Sequence, residues 1–264
     1  MLMNTLFKRT AQKSFTTSSP ATTRSYTGAA STILKARMEQ VIADRQKEVM
    51  EFRKEHANTV VDQVTVGQII GGMRGIPGML YETSKLDPME GIAYRGTQLF
   101  DIRANAPTTV PGGEPIPEGV LWLLLTGELP SESEIGHFKE ELFIRGELSA
   151  DEERMIKSFP RDMHAMTQFS MGVLACQPSS KFMQAYQSGV HKTKYWESTL
   201  EDCLDLCAKV NRIAAIIFAN KYGDNSAIPA RDGALDYGAN YANQLGFTNE
   251  KFWELMRLYI TIHA

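Results

Sequence analysis

The sequence predicts a mainly α-helical fold that carries one small β-hairpin. Three observations lead there. Apolar residues recur at three- and four-residue spacing over most of the 264 positions, the signature of amphipathic helices. Only one pair of short strand-like runs flanks a strong turn, Asp87-Pro88-Met89-Glu90-Gly91. No internal repeat divides the chain, so helix follows helix in one mainly α domain.

Taken in order, Leu34, Met38, Val41, Ile42, Val49 and Phe52 mark a helix from Ser31 to His56, ended by Asn58 and Thr59. Val60, Val61, Val64 and Val66 are β-branched but mixed with polar residues, which leaves their conformation open. Gly71-Gly72-Met73-Arg74-Gly75-Ile76-Pro77-Gly78 is a glycine-rich loop with one cation, where backbone can approach a ligand; it is neither a Walker nor a Rossmann pattern. Strands are expected at Leu80–Lys85 and Ile92–Arg95. After a proline-rich loop a helix starts at Glu118, and Val120 to Leu125 is apolar enough for burial nearly all round, with Gly127 and Pro130 as its stop. Ser131 and Glu134 form a capping box for a helix from Glu132 to Arg145. Further helices are expected at Ser149–Ser158, Met163–Cys176, Lys192–Tyr222, Leu235–Leu245 and Asn249–Ile262.

Composition narrows the function classes. The chain is 43% hydrophobic and 22% charged, and no run of eighteen apolar residues reads as a membrane span. A net charge of -3 gives no reason to expect nucleic acid as partner, although a local basic site for a small phosphate ligand is compatible with it. Residues 1–26 hold Lys8, Arg9, Lys13 and Arg24 and no acid; with their Ser and Thr content they match a mitochondrial transit peptide, with cleavage expected after Tyr26. Residues 27–264 then form the folded part. Cys176, Cys203 and Cys207 make neither a disulfide framework nor a zinc site. The five histidines fall in no metal-ligand spacing; His263 stands out for its place at the end of an apolar helix.

Arg74 is the most suggestive cation. A guanidinium flanked by glycines can reach a phosphate with its planar fork while neighbouring N–H groups stay accessible. His191, Lys192 and Lys194 beside Tyr195 and Trp196 form a second basic patch. Residue-level reading ends at a hint of ligand phosphate and names no reaction.

Read as strings, Gly71-Gly72-Met73-Arg74-Gly75, Tyr81-Glu82-Thr83-Ser84, Leu86-Asp87-Pro88, Pro117-Glu118-Gly119, His164-Ala165-Met166, His191 to Glu197 and Leu255 to Tyr259 resemble eukaryotic citrate synthase, in collinear order from about Ile33 to Ala264. The resemblance implies an all-α large domain, here its N-terminal part with the small domain absent. It also implies a homodimer joined through helices 163–176 and 192–222, in the mitochondrial matrix. The implied reaction condenses acetyl-CoA with oxaloacetate and water to citrate and free CoA, with no metal or other cofactor. Arg74 then matches the glycine-loop arginine that approaches the coenzyme A phosphates. Lys192 stands where many members have an arginine serving the neighbouring subunit's coenzyme; the charge is kept and the bidentate fork is lost. An aspartate that removes a methyl proton and a histidine that donates to the thioester oxygen are implied beyond Ala264, so no catalytic residue is expected in residues 1–264. A non-catalytic paralogue acting as an assembly partner and a 2-methylcitrate synthase are the alternative readings.

Overall fold

The computed structural model describes residues 29–79, 83–223 and 228–264. The basic segment expected to be a transit peptide lies outside the described residues, as does the Leu80–Glu82 part of the first expected strand. Eleven helices are present among the described residues: α1 (Ala29–His56), α2 (Val66–Ile70), α3 (Leu99–Asn105), α4 (Pro117–Thr126), α5 (Glu132–Arg145), α6 (Ala150–Lys157), α7 (Ala165–Ala175), α8 (Lys181–Gln187), α9 (Tyr195–Tyr222), α10 (Tyr237–Gln244) and α11 (Glu250–Ile262).

The β structure is larger than a hairpin. Strands β1 (Ser84–Asp87), β2 (Gly91–Tyr94) and β3 (Thr97–Gln98) form an antiparallel meander in that order. The described part of the first expected strand overlaps β1 at Ser84 and Lys85, the second lies within one residue of β2, and the third strand was not expected. The Asp87 side chain accepts from the Met89 and Glu90 N–H groups and fixes the first turn. Arg95 and Gly96 both have positive φ, 54° and 85°, the backbone of a two-residue hairpin turn that returns the chain as β3.

Helix boundaries follow local chemistry. Pro117 occupies the first turn of α4, where its missing N–H costs nothing, and Gly127 ends the helix in the left-handed region at φ 86°. Ser131 with Glu134 and Ser149 with Glu152 form capping boxes at the starts of α5 and α6, and Asn249 caps α11. Ser180 caps α8, its Oγ accepting from Met183 N at 3.0 Å, and the Asp202 carboxylate of α9 reinforces that start by accepting from Ser180 Oγ, Lys181 N and Phe182 N at 2.5, 2.6 and 3.1 Å.

α9 is the spine, roughly 42 Å long at 1.5 Å per residue, and it packs against α5, α6, α7, α8 and α10. Three clusters form the core. Leu34, Trp122, Phe138, Leu142, Leu200 and Leu204 join α1, α4, α5 and α9, with Trp122 and Phe138 edge to face at 5.5 Å. Tyr94, Ile102, Val120 and Leu123 fasten the sheet and α3 to α4. Leu148, Ile156, Ile213, Ile216 and Ile217 fill the space under α6 and α7. At the α7–α9 crossing Gly172 matters for its missing side chain: a Cβ there would lie 2.7 Å from Ile213 Cγ2.

Charge is buried beside α9 as well. Arg145 on α5 reaches the fully buried Glu141 at 2.9 Å and Glu201 at 2.6 Å and also pairs with Asp205. Lys209 pairs with Glu152 at 2.9 Å and Arg212 with Glu153 at 2.7 Å. Removing one partner of such a pair strands the other, which costs more than the pair contributes. Replacing Arg145 by Ala is therefore expected to lower the unfolding free energy by about 3–5 kcal/mol, read from urea denaturation; a loss below about 1 kcal/mol would mean that Glu141 is satisfied without it.

Candidate functional site

The glycine-rich loop follows directly on α2. Thr65 and Gln68 form a reciprocal capping box at the start of that short helix, and Gln68 then reaches forward, donating Nε2 to the Gly75 carbonyl at 3.1 Å. The Met73 N–H donates to Gln68 O at 2.9 Å. Gly72 and Gly75 have φ 79° and 73°, and Met73 joins them at 64°. Glycine is free in this region, whereas methionine there is strained. The result is a compact turn, closed by one side chain, that carries Arg74 outward. Arg74 is exposed and has no hydrogen-bond or ion-pair partner among the described residues.

Lys192 is the first residue of a 3₁₀ turn, Lys192–Lys194, that leads into α9. His191 caps this turn, its Nδ1 lying 2.9 Å from Thr193 Oγ1. Lys194 is engaged with Glu197 at 3.1 Å, and Glu197 also holds Lys35 at 2.7 Å. Lys192 is exposed and unpaired among the described residues. Beneath it Tyr195 packs edge to face on Phe182 at 5.2 Å, which makes the turn a supported platform. Each predicted cation is thus presented to solvent by specialised backbone. The structure shows no contact that joins the two.

His263 ends α11, stacks on Tyr259 at 4.3 Å between ring centroids and places Nδ1 2.8 Å from the Tyr259 carbonyl. That geometry fixes the ring against its own helix. A buried network the residue patterns did not reveal lies nearby. Asp236 caps α10 by accepting from Gly238 and Ala239 N–H, and its other oxygen takes both Nε and Nη2 of Arg257 on α11, at 3.1 and 2.6 Å. Tyr94 of β2 donates its hydroxyl to the Thr261 carbonyl at 2.7 Å, clamping the last turn of α11. The signal available in sequence was only an Asp two residues before a run of small residues, an ordinary N-cap; its arginine partner is 21 positions away. Among the described residues no group of three or more His, Cys, Asp or Glu side chains is arranged to hold a metal ion, and no helix is long and apolar enough to cross a membrane.

Because Arg74 and Lys192 support no other side chain, truncating either to Ala is expected to leave thermal stability within about 0.5 kcal/mol of the parent. A larger loss would give these cations a structural role.

Comparison with known proteins places this arrangement. The family model described as "Citrate synthase, C-terminal domain" matches residues 72–264. Citrate synthase 4, mitochondrial, of Arabidopsis thaliana is 44% identical over 231 residues, covering 88% of this chain and 48% of its own length. The mitochondrial citrate synthase of Daucus carota is 40% identical over 263 residues, covering 100% of this chain and 56% of its own. Among solved structures, citrate synthase from Pyrobaculum aerophilum superimposes with a TM-score of 0.64 at 20% identity, over 78% of this chain and 52% of that one. A ternary complex of carboxymethyl coenzyme A and oxaloacetate with the Thermoplasma acidophilum enzyme gives 0.55 at 17%, over 72% and 46%; at such identities the likeness shows the fold. This chain spans about half the length of the curated relatives it matches. It belongs to the citrate synthase family.

Proposed function

We propose that the protein is a citrate synthase of the mitochondrial matrix, condensing acetyl-CoA with oxaloacetate and water to citrate and free CoA in the tricarboxylic acid cycle. The observation that carries this reading is the family match over residues 72–264, and the mitochondrial names of relatives at 40–44% identity support its location. The described part of the chain serves coenzyme binding and assembly. Proton abstraction from the thioester methyl and polarisation of the carbonyl need a base and a hydrogen-bond donor at the reacting atoms, and we assign those roles to none of residues 29–264.

In this reading Arg74 and Lys192 are the cations for the coenzyme's phosphates. Neither has an ion-pair partner among the described residues, so each meets a phosphate without first breaking a pair there, and the glycines beside Arg74 let backbone N–H groups come close. Assembly is by a second copy of the chain. α7 turns Met166, Met171 and Leu174 outward, with Leu174 70% exposed, an apolar row that a symmetric partner would cover. The expected face on residues 192–222 is smaller than the sequence implied. α9 uses Leu200, Leu204, Ala208, Ile213, Ile216 and Ile217 in its own core and leaves Leu206, Phe218 and Tyr222 for a partner.

Activity is tested by oxaloacetate-dependent release of CoA from acetyl-CoA by the full-length protein, with propionyl-CoA as the competing substrate; faster turnover of propionyl-CoA would assign the 2-methylcitrate reaction, and no turnover of either would favour the assembly partner. Arg74→Ala should raise the KM for acetyl-CoA by roughly 10- to 100-fold, the equivalent of one charge-assisted hydrogen bond, and Lys192→Arg should lower it. An unchanged KM in Arg74→Ala removes Arg74 from the site. Leu174→Lys should shift the protein from dimer to monomer in sedimentation, and an undisturbed dimer would place the interface elsewhere.

A further inference from the structure

Glu118 is the only charged residue of α4, lies in its first turn and is 2% exposed. Its Oε1 accepts the backbone N–H of Tyr237, the first residue of α10, at 2.7 Å. Its Oε2 is buried and has no hydrogen-bond partner among the described residues. Next to the carboxyl is a cavity of about 30 Å³ bordered by Lys139, Asn211, Tyr237, Asn240 and Gln244. That is room enough for one water; the wall is mostly apolar, from Leu142, Phe143, Ala208 and Leu235, and Asn211, Asn240 and Gln244 add polar atoms.

The charged groups that face this site are committed to other partners. From α5, Lys139 donates Nζ to the Ala234 carbonyl at 2.8 Å. Arg231, in the segment before α10, donates to the Phe143 carbonyl and pairs with Glu147, both at 2.5 Å. Arg257 of α11 is held by Asp236 and Glu254, each at 2.6 Å. α9 contributes Asn211 and the Cys207 carbonyl, which accepts the Tyr237 hydroxyl at 2.6 Å; the half-buried Cys207 thiol is itself pushed up. Asp236, 1% exposed, is a second buried carboxylate at the start of α10. Two buried acids therefore meet at one helix N-terminus, and the guanidinium there serves Asp236. Burial above all, and then the charge of Asp236, push the Glu118 carboxyl up to about 7.

We propose that Glu118 is a proton-operated joint between α4 and α10. With a proton on Oε2, donated to one water in the adjoining cavity, the neutral carboxyl sits without penalty beside Asp236 and Oε1 keeps its bond to the Tyr237 N–H. Loss of that proton places a second buried anion beside Asp236, with a single water as its only new donor. The charge is relieved by admitting solvent between α4 and α10, and the Asp236–Arg257 pair that seats α11 is loosened with it. No assigned step of the proposed reaction uses this group, and the joint stands or falls independently of that reading.

The direction with pH follows from linkage. The folded chain holds this proton more tightly than the unfolded chain, whose carboxyl has the ordinary value of 4.5. The stabilisation is complete below that value, is lost as pH rises towards about 7 and is absent above it. Urea unfolding of the full protein and of Glu118→Gln, from about pH 5 to about pH 8, isolates the group from every other titration. The ratio of unfolding constants, parent to variant, should rise about tenfold per pH unit between pH 5 and 6.5 and level off above about pH 7. Amide exchange in α10 and α11, relative to α4, should quicken with pH in the parent beyond its rise in the variant. A ratio that stays flat, or exchange ratios that match at every pH, would overturn the joint. Should Glu118→Gln fail to fold, the infrared pH-difference spectrum of the parent decides: loss of a buried protonated-carboxyl band between about pH 6 and about pH 8 supports the proposal, and no such band refutes it.

Discussion

The described fold depends on how α9 is enclosed. It runs for 28 residues, and, as for most helices in folded proteins, its stability comes mainly from packing, here from α5, α6, α7, α8 and α10 around it. The enclosure is partly ionic. Glu201, Asp205, Lys209 and Arg212 project from one helix into pairs with Arg145, Glu152 and Glu153. These contacts fix rotation and register as well as proximity, because a helix turned by one residue would break the pairs with Arg145, Glu152 and Glu153 together. The same helix helps to cap α8 through Asp202 and begins at the turn that displays Lys192. Core, a neighbouring helix start and one candidate ligand cation are thus set by a single element.

Much of the helical architecture was legible because its signals are local. Period, capping boxes and proline or glycine stops place α5 at Glu132–Arg145, as expected from Ser131 and Glu134, and bring the expected ends of α4, α6, α10 and α11 within a few residues. The short helices were not legible. The start of α8 is shared between its own Ser180 and an aspartate on α9, α3 begins where β3 ends, and α2 buries none of its residues. No apolar period can show through five to seven positions. The sheet's extent was hidden for a related reason: Leu86 in β1 is exposed at 73%, so strand alternation carries no clear burial signal there, and β3 rests on a tight turn at Arg95-Gly96 that reads as loop.

The candidate site divides in the same way. Arg74 was visible because a cation among glycines is a local pattern, and the structure adds how it is displayed: Gln68 closes the loop on Gly75 and Arg74 stays exposed. Glu118, Asp236 and Arg257 were invisible as a unit. They lie on three separate elements and only the fold brings two acids to one helix end. The segment therefore combines a surface built for ligand charge with an interior where charge is tightly confined.

The most direct measurement is the dissociation constant of coenzyme A, set against that of pantetheine, which lacks the nucleotide and its phosphates, for the full-length protein and for the variant carrying both Arg74→Ala and Lys192→Ala. If these two cations hold the phosphates, the parent prefers coenzyme A strongly, and the double variant loses most of that preference while binding pantetheine as before. An equal preference for coenzyme A in parent and variant would contradict the assignment.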